Sequence, residues 1–263
     1  YKTEEKAVLR SYALTDIGRR RQLNQDYIYA SETPVGNLPN LFIVADGMGG
    51  HKAGDYASDL AVETVVGEAE TSFEKSPEKI LGHAISKANE ILRKRANEDF
   101  ALSGMGTTLV AATCIGRYLE VANVGDSRLY VIRDEIEQIT EDHSLVEEMV
   151  RMGGIGREEA RNHPDKNIIT RAVGARDDVE VDFFNRELQT GDMVLLCSDG
   201  LTNMVDDETI CRILKNGKSL RDRVEELVET ANVNGGRDNI SVIVIEPLAD
   251  EDLYEKSYEN APE

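Results

Sequence analysis

The feature that most constrains this chain is a set of aspartates placed where apolar, strand-like runs begin or end. Asp46 and Asp199 each end such a run and precede a glycine, and Asp238 stands two residues before another run. Asp26 and Asp126 occupy two further predicted strand boundaries. A turn explains any one of them, because Asp next to Gly is an ordinary turn dipeptide. Five together are not explained by turns, and they predict a shared functional site.

The remaining pattern indicates short strands and amphipathic helices. Runs rich in Val, Ile, Leu and Tyr predict strands over 41–45, 107–115, 118–124, 128–132, 193–197 and 240–245. Apolar residues at helical spacing predict helices over 54–70, 77–97, 144–152, 206–214 and 219–231. Long runs of strands separated from the helices favour an α+β fold with antiparallel sheets over a βαβ repeat. The glycine-rich and charged stretch 152–167 predicts a long excursion that could cover a site.

Composition excludes several classes of protein. The 263 residues carry 50 acidic and 30 basic side chains, and a net charge of −20 opposes binding to nucleic acid or anionic lipid. The longest apolar runs are strand-sized, so we expect a soluble protein without membrane insertion. Three cysteines without C-x-x-C spacing argue against a disulfide framework or a zinc site and fit a reducing cytoplasm.

Carboxylates at strand ends, with a backbone carbonyl at Gly47, form an all-oxygen donor set that suits Mg²⁺ or Mn²⁺. Two such ions about 3.5 to 4 Å apart can hold a hydroxide and a phosphoryl group for in-line attack. This chemistry predicts hydrolysis of a phosphate ester. Arg21 is the best-placed guanidinium for the phosphate oxygens, with Arg19 and Arg20 as alternatives.

Seven motifs occur in a fixed order between residues 12 and 245. They are Arg21-x-x-Asn24-Gln25-Asp26, Asp46-Gly47-Met48-Gly49-Gly50-His51, Gly104-Met105-Gly106-Thr107-Thr108, Val124-Gly125-Asp126-Ser127-Arg128, Asn167-Ile168-Ile169-Thr170-Arg171, Ser198-Asp199-Gly200 and Gly236-Arg237-Asp238-Asn239. With this set the chain resembles the metal-dependent protein phosphatase 2C family, in its bacterial branch. The resemblance implies a four-layer α/β/β/α sandwich, in which helix pairs flank two central antiparallel β-sheets. It implies one catalytic domain over 1–247 with a flap at about 144–167, followed by an acidic tail over 248–263.

The resemblance also implies a metal site made of two core Mn²⁺ or Mg²⁺ ions and a third, weaker one. Asp46 would bridge the two core ions, with the Gly47 carbonyl on one of them. Asp199 and Asp238 would hold the other core ion. Asp26 would act mainly through metal-bound water, and Asp126 with Asp199 would bind the third ion.

The implied reaction removes phosphate from phosphoserine or phosphothreonine in proteins, by direct attack of a hydroxide that bridges the metals. Arg21 would bind the phosphate, and His51 or a metal-bound water would protonate the leaving alkoxide. His51 can equally serve only to hold its glycine loop. A cytoplasmic monomer that opposes a bacterial Ser/Thr kinase is the expected setting.

Four alternatives carry different chemistry. The main one is a catalytically silent relative that only binds phosphoproteins. A nucleotide-binding protein is disfavoured because no phosphate-binding P-loop motif occurs. A redox role for Cys197 is disfavoured, because a cysteine in an apolar strand is more often a small buried side chain. A phosphodiesterase or nuclease shares the carboxylate chemistry, but the acidic surface would repel a polyanion.

Overall fold

The computed structural model describes residues 8–50 and 53–249. Its strands are β1 Val8–Asp16, β2 Asp26–Ser31, β3 Leu41–Met48, β4 Gly106–Thr107, β5 Leu109–Ile115, β6 Tyr118–Val124, β7 Arg128–Ile132, β8 Ile136–Gln138, β9 Asp182–Glu187, β10 Met193–Cys197 and β11 Ile240–Ala249. Its α-helices are α1 Ala53–Thr71, α2 Pro77–Glu98, α3 Leu145–Arg151, α4 Arg157–Asn162, α5 Asp199–Thr202, α6 Asp207–Leu214 and α7 Leu220–Val233. A short 3₁₀ helix spans Phe100–Leu102.

The strands form two antiparallel sheets. One has five strands in the order β1-β11-β10-β7-β8. The other has six, in the order β2-β3-β5-β6-β9, with β4 paired to β3. Within these sheets, the neighbours β2-β3, β5-β6 and β7-β8 are close in sequence, whereas the other neighbours are distant. The β1 strand pairs with β11 and so joins the two ends of the described chain.

The two sheets pack face to face. Phe42 and Val44 of the six-stranded sheet share a buried cluster with Val194, Leu196 and Ile243 of the five-stranded sheet. Alternate residues of the same strands point outward to the helices, because side chains of a strand alternate between its faces. The outer face of the six-stranded sheet is covered by α1 and α2, and that of the five-stranded sheet by α6 and α7. The predicted α+β, four-layer sandwich is confirmed.

Three of the predicted helices, α3, α6 and α7, lie close to their predicted positions because the first predicted residue of each is a cap. Ser144 Oγ accepts from the Glu147 N–H at 3.3 Å, and Asp206 Oδ1 accepts from the Thr209 N–H at 2.7 Å. Ser219 Oγ accepts from the Asp222 N–H at 3.2 Å. Each side chain satisfies a backbone donor that has no partner within its own helix. The boundaries of α3, α6 and α7 therefore begin one residue after the cap.

Four strands lie outside the predicted apolar runs, namely β1, β2, β8 and β9, of which only β2 was expected, as a strand that begins at Asp26. The β9 strand alternates half-buried and exposed residues, and polar residues flank its two adjacent phenylalanines, Phe183 and Phe184. Such an edge strand has no long apolar run to mark it. The β11 strand continues to Ala249, two residues into the predicted tail, and residues 250–263 lie outside the described part. Among the described residues, no helix is long and apolar enough to cross a membrane.

Candidate active site

The five aspartates come together because antiparallel neighbours begin and end at the same edge of a sheet. In the six-stranded sheet, Asp26 at the start of β2 lies directly opposite Asp46 near the end of β3. In the five-stranded sheet, Asp199 follows β10 and Asp238 precedes β11, and these strands are paired. Asp126 lies in the connection from β6 to β7, which crosses between the sheets at this end.

The space between these strand ends is a cleft of about 260 Å³. Six of the residues expected at the site line it: Arg21, Asp46, Gly47, Asp126, Asp199 and Asp238. Asp26 is buried beside them, with 6% of its surface exposed. His51 lies outside the described residues. The structure thus brings seven of the eight predicted residues to one place.

Burial and mutual repulsion disfavour ionised carboxylates in this cluster. The pKa of Asp26 is raised to about 7, first by burial and also by the charges of Asp199 and Asp238, against opposing hydrogen bonds from Ser198 and Ser241. The first of these bonds joins Ser198 Oγ to Asp26 Oδ2 at 2.7 Å. Burial, followed by the charge of Asp238, raises the pKa of Asp199 to about 6. Each carboxylate is therefore harder to ionise than an isolated one.

Asp46 and Asp126 are harder to ionise for the same reasons. Burial raises the pKa of Asp46 well above its usual range, and the neighbouring carboxylates, Asp26 first among them, add to the shift. Burial and then Asp199 raise the pKa of Asp126, while the guanidinium of Arg128 partly opposes the shift. A cluster of this kind gains stability from a bound cation, since positive charge favours the ionised forms of all its members.

The donor set fits a hard divalent ion. Asp26 Oδ1 and Asp199 Oδ1 are buried oxygens without a hydrogen-bond partner, which is unusual for native proteins and leaves two acceptors unsatisfied. Within residues 8–50 and 53–249, no three His, Cys, Asp or Glu side chains are placed closely enough to hold an ion by themselves. Carbonyl oxygen and water would therefore have to complete any coordination shell, as Mg²⁺ sites commonly require.

Gly47 is needed at the site for its small size. A Cβ on this residue would lie 1.9 Å from the Gly54 carbonyl oxygen and 2.7 Å from that of Gln25. The Gly47 N–H donates to the Gln25 carbonyl at 2.9 Å. Only glycine permits this approach of three backbone segments. The close packing keeps the backbone of Gly47 on the wall of the cleft.

Arg21 supplies positive charge at the mouth of the cleft. Its Nη2 lies 2.6 Å from Asp238 Oδ2, and 46% of its side chain is exposed. Arg19, an alternative from the sequence, instead pairs with Glu229 at 3.4 Å. The structure therefore places Arg21 beside the acidic cluster with its guanidinium open to solvent, where a phosphate could reach it.

Thr108 is a structural residue of the site, and its role was not predicted from the sequence. Its Oγ1 accepts from the Asp46 N–H at 2.9 Å, and its own N–H donates to the Asp46 carbonyl at 2.9 Å. Thr108 Oγ1 also lies 2.7 Å from Ser127 Oγ. The threonine joins the strand of Asp46 to the turn of Asp126. Its place in the motif from Gly104 to Thr108 was the available signal.

Asn239 is a second residue of this kind. Its Nδ2 donates to the carbonyls of Ile17 and Leu23 at 3.0 and 2.9 Å, and its Oδ1 accepts from the Gln25 N–H at 2.9 Å. These bonds fix the loop that carries Arg21 against the start of β11. The position next to Asp238 was the only sign of this role in the sequence.

Comparisons with known proteins show the family of the chain. The family model described as Protein phosphatase 2C matches residues 17–243. The serine/threonine phosphatase stp of Listeria monocytogenes is 45% identical over 238 residues, covering 88% of this chain and 93% of that protein. The structure of the S. agalactiae serine/threonine phosphatase has a TM-score of 0.85 at 38% identity, covering 91% of this chain and 99% of that one.

A third relative carries metal. The catalytic domain of the serine threonine protein phosphatase PstP in complex with two manganese ions has a TM-score of 0.82 at 36% identity, covering 93% of this chain and all of that one. The chain belongs to the protein phosphatase 2C family. It is a bacterial, metal-dependent protein-serine/threonine phosphatase of the PPM type.

Proposed function

We propose that the cleft binds two Mn²⁺ or Mg²⁺ ions and a third, weaker one. Asp46, the Gly47 carbonyl, Asp199 and Asp238 would hold the core pair, with Asp26 acting through water. Asp126 and Asp199 would hold the third ion. The observation that carries this proposal is that four carboxylates line one cleft with Asp26 buried beside them, and that four of these five have a raised pKa. The two manganese ions in the PstP structure support it.

The bound ions would supply positive charge that ionises water near neutral pH and neutralises the phosphate. Arg21 would bind phosphate oxygens, since a guanidinium can donate two parallel hydrogen bonds. The hydroxyl that lines the described cleft belongs to Thr108, and it is already bonded to Asp46 and Ser127. This favours direct attack by water over a phosphoenzyme. His51 or water would donate the proton to the leaving alkoxide.

The proposed substrates are proteins phosphorylated on serine or threonine, including a cognate Ser/Thr kinase, and the proposed setting is a cytoplasmic monomer. Relatives named serine/threonine phosphatases support the substrate class. The proposed domain spans 1–247, with the tail over 248–263. A flap over about 144–167 is supported by Asn167 and Ile169, which line the cleft.

The test is hydrolysis of p-nitrophenyl phosphate and of a phosphothreonine peptide by metal-stripped protein, with and without Mn²⁺ or Mg²⁺. We expect release of phosphate only with metal, and loss of that release in Asp46→Asn. Folded, metal-loaded protein that hydrolyses neither substrate would instead support the catalytically silent phosphoprotein-binding relative.

A further inference from the structure

His143 holds the turn that carries Asp126. The Gly125 N–H donates to His143 Nδ1 at 3.0 Å, and the His143 N–H donates to the Gly125 carbonyl at 3.0 Å. One residue thus satisfies both backbone groups of the glycine next to Asp126. Only 6% of the His143 surface is exposed, so water does not compete strongly for these bonds.

The orientation of the imidazole is fixed from its other side. Because Nδ1 accepts from Gly125, the neutral ring carries its proton on Nε2, which lies 2.9 Å from Asp182 Oδ2. Asp182 Oδ1 in turn accepts from Arg171 Nη1 at 2.9 Å. His143 therefore connects the ion pair of Asp182 and Arg171 to the turn that carries Asp126.

The Asp126 carboxylate depends on its backbone for its position. It makes no side-chain hydrogen bond or ion pair with any other residue in the described part of the chain. Gly125 adopts φ +107°, and a Cβ there would lie 2.7 Å from Thr108 Cβ. The turn is thus pressed against Thr108 on one side and bonded to His143 on the other.

His143 also lies where the two ends of the following segment, residues 144–169, come together. The His143 carbonyl accepts from the Thr170 N–H at 2.7 Å, and the Leu145 N–H donates to the Ile168 carbonyl at 2.8 Å. The two ends of the segment between these residues meet at His143. A change at His143 therefore acts on a point shared by the Asp126 turn and by the segment that ends at the cleft.

We infer that His143 is a positioning residue of the phosphatase, which sets the place of the Asp126 carboxylate through its two bonds to Gly125. The inference rests on the proposed function, in which Asp126 binds the weaker ion. Groups that orient metal ligands change metal affinity or activity by about 10- to 100-fold when they are removed. The substrate and the reacting atoms are not touched by His143 in this account.

Two substitutions separate the bond to Gly125 from the bond to Asp182. In His143→Asn, the shorter amide can place an oxygen near the position of Nδ1 and keep the Gly125 bond. In His143→Gln, the longer amide reaches toward Asp182 and loses the side-chain bond from the Gly125 N–H, while the backbone bond to the Gly125 carbonyl remains. Mn²⁺ binding would be measured by electron paramagnetic resonance, and kcat/KM on a phosphothreonine peptide, with thermal unfolding as the check on folding.

We expect His143→Gln to weaken the weakest class of Mn²⁺ site about tenfold or more, and His143→Asn to recover most of that affinity. In an Asp126→Asn background, His143→Gln should cause little further loss, because residues that act through one another are not additive. Equal losses from His143→Asn and His143→Gln, or an undiminished effect of His143→Gln beside Asp126→Asn, would overturn the inference.

The inference and the proposed function fail in different ways. If Asp126→Asn leaves Mn²⁺ binding and turnover as in the wild type, the role of His143 is refuted while metal-dependent hydrolysis stands. If the wild-type protein hydrolyses no phosphopeptide with any metal, the proposed function itself is wrong.

Discussion

At the scale of single residues, the site is defined by carboxylates whose charge the protein does not balance by itself. Asp26 and Asp199 each leave one buried oxygen without a partner, and Arg21 contacts the cluster only through Asp238. Unsatisfied buried acceptors reduce stability, so their presence at one place indicates a site built for a ligand rather than for folding.

Asp199→Asn should lower turnover by orders of magnitude, because the amide removes a negative charge from a proposed ligand of both the core and the third ion. Steady-state hydrolysis of the phosphothreonine peptide across a Mn²⁺ titration would measure the loss. The exposed Asp178→Asn is the matched control for loss of one carboxylate, and its turnover should stay near that of the wild type. Near-normal turnover of Asp199→Asn with metals bound would show that the ligand is misassigned.

Metal-stripped protein should lose stability as pH rises from about 4 to about 7, through the titration of Asp26. Its pKa of about 7 in the folded state lies above the unfolded value, so the folded state binds more protons than the unfolded state in this window. The free energy of unfolding therefore falls as the pH rises. The amide that replaces the carboxyl group in Asp26→Asn cannot ionise, so the free energy of unfolding of this variant should rise relative to that of the wild type as the pH increases across the window.

Urea unfolding of both proteins at pH 4.5 and pH 7.5, about the two limits of that window, measures the difference. Saturating Mn²⁺ should reduce the pH dependence of the wild type, since bound ions stabilise the ionised carboxylate. A difference between the two proteins that does not change with pH would contradict the assigned cause.

At the scale of elements, local chemistry determined how much could be predicted. Strands β6, β7 and β10 have the predicted bounds, because most of their residues are apolar and buried. The β9 edge strand was missed because its polar residues break the run. Four of the five aspartates were found because glycine and an apolar run lie beside them, and Asp26 was found because it opens a strand. The roles of Thr108 and His143 depend on contacts distant in sequence, which a single sequence does not show.

Capping contributes to the stability of α6, and Asp206→Ala should cost about 1 kcal/mol at neutral pH. The bond from the Thr209 backbone lowers the pKa of Asp206, so this stability is present above the unfolded pKa and is lost as pH falls through the folded one. Urea unfolding at pH 7 and at acid pH would measure the change. Asp206→Asn, which can still accept from Thr209, should retain most of the stability at both pH values, and an equal loss in both variants would argue against the cap.

At the scale of the whole molecule, the site depends on how the two sheets pack. Asp26 and Asp46 belong to the six-stranded sheet, whereas Asp199 and Asp238 flank strands of the five-stranded sheet. The two sheets share no strand, so the hydrogen bonds between paired strands do not fix the distance between the two pairs of aspartates. That distance depends in part on side chains packed between the sheets, such as Leu196. Packing in this layer therefore affects the geometry of the site as well as stability.

Two buried leucines test this dependence. Leu196 lies between the sheets. Leu227 belongs to α7 and packs against the outer face of the five-stranded sheet, and neither side chain has exposed surface. Truncation of either to alanine should cost about 2 to 5 kcal/mol, because each leaves a cavity. At a temperature where both variants remain folded, we expect Leu196→Ala to weaken Mn²⁺ binding severalfold more than Leu227→Ala, as measured by titration calorimetry. Only the first cavity lies in the layer that joins the two halves of the site, so equal effects on binding would mean that the sheets hold their spacing independently of this core.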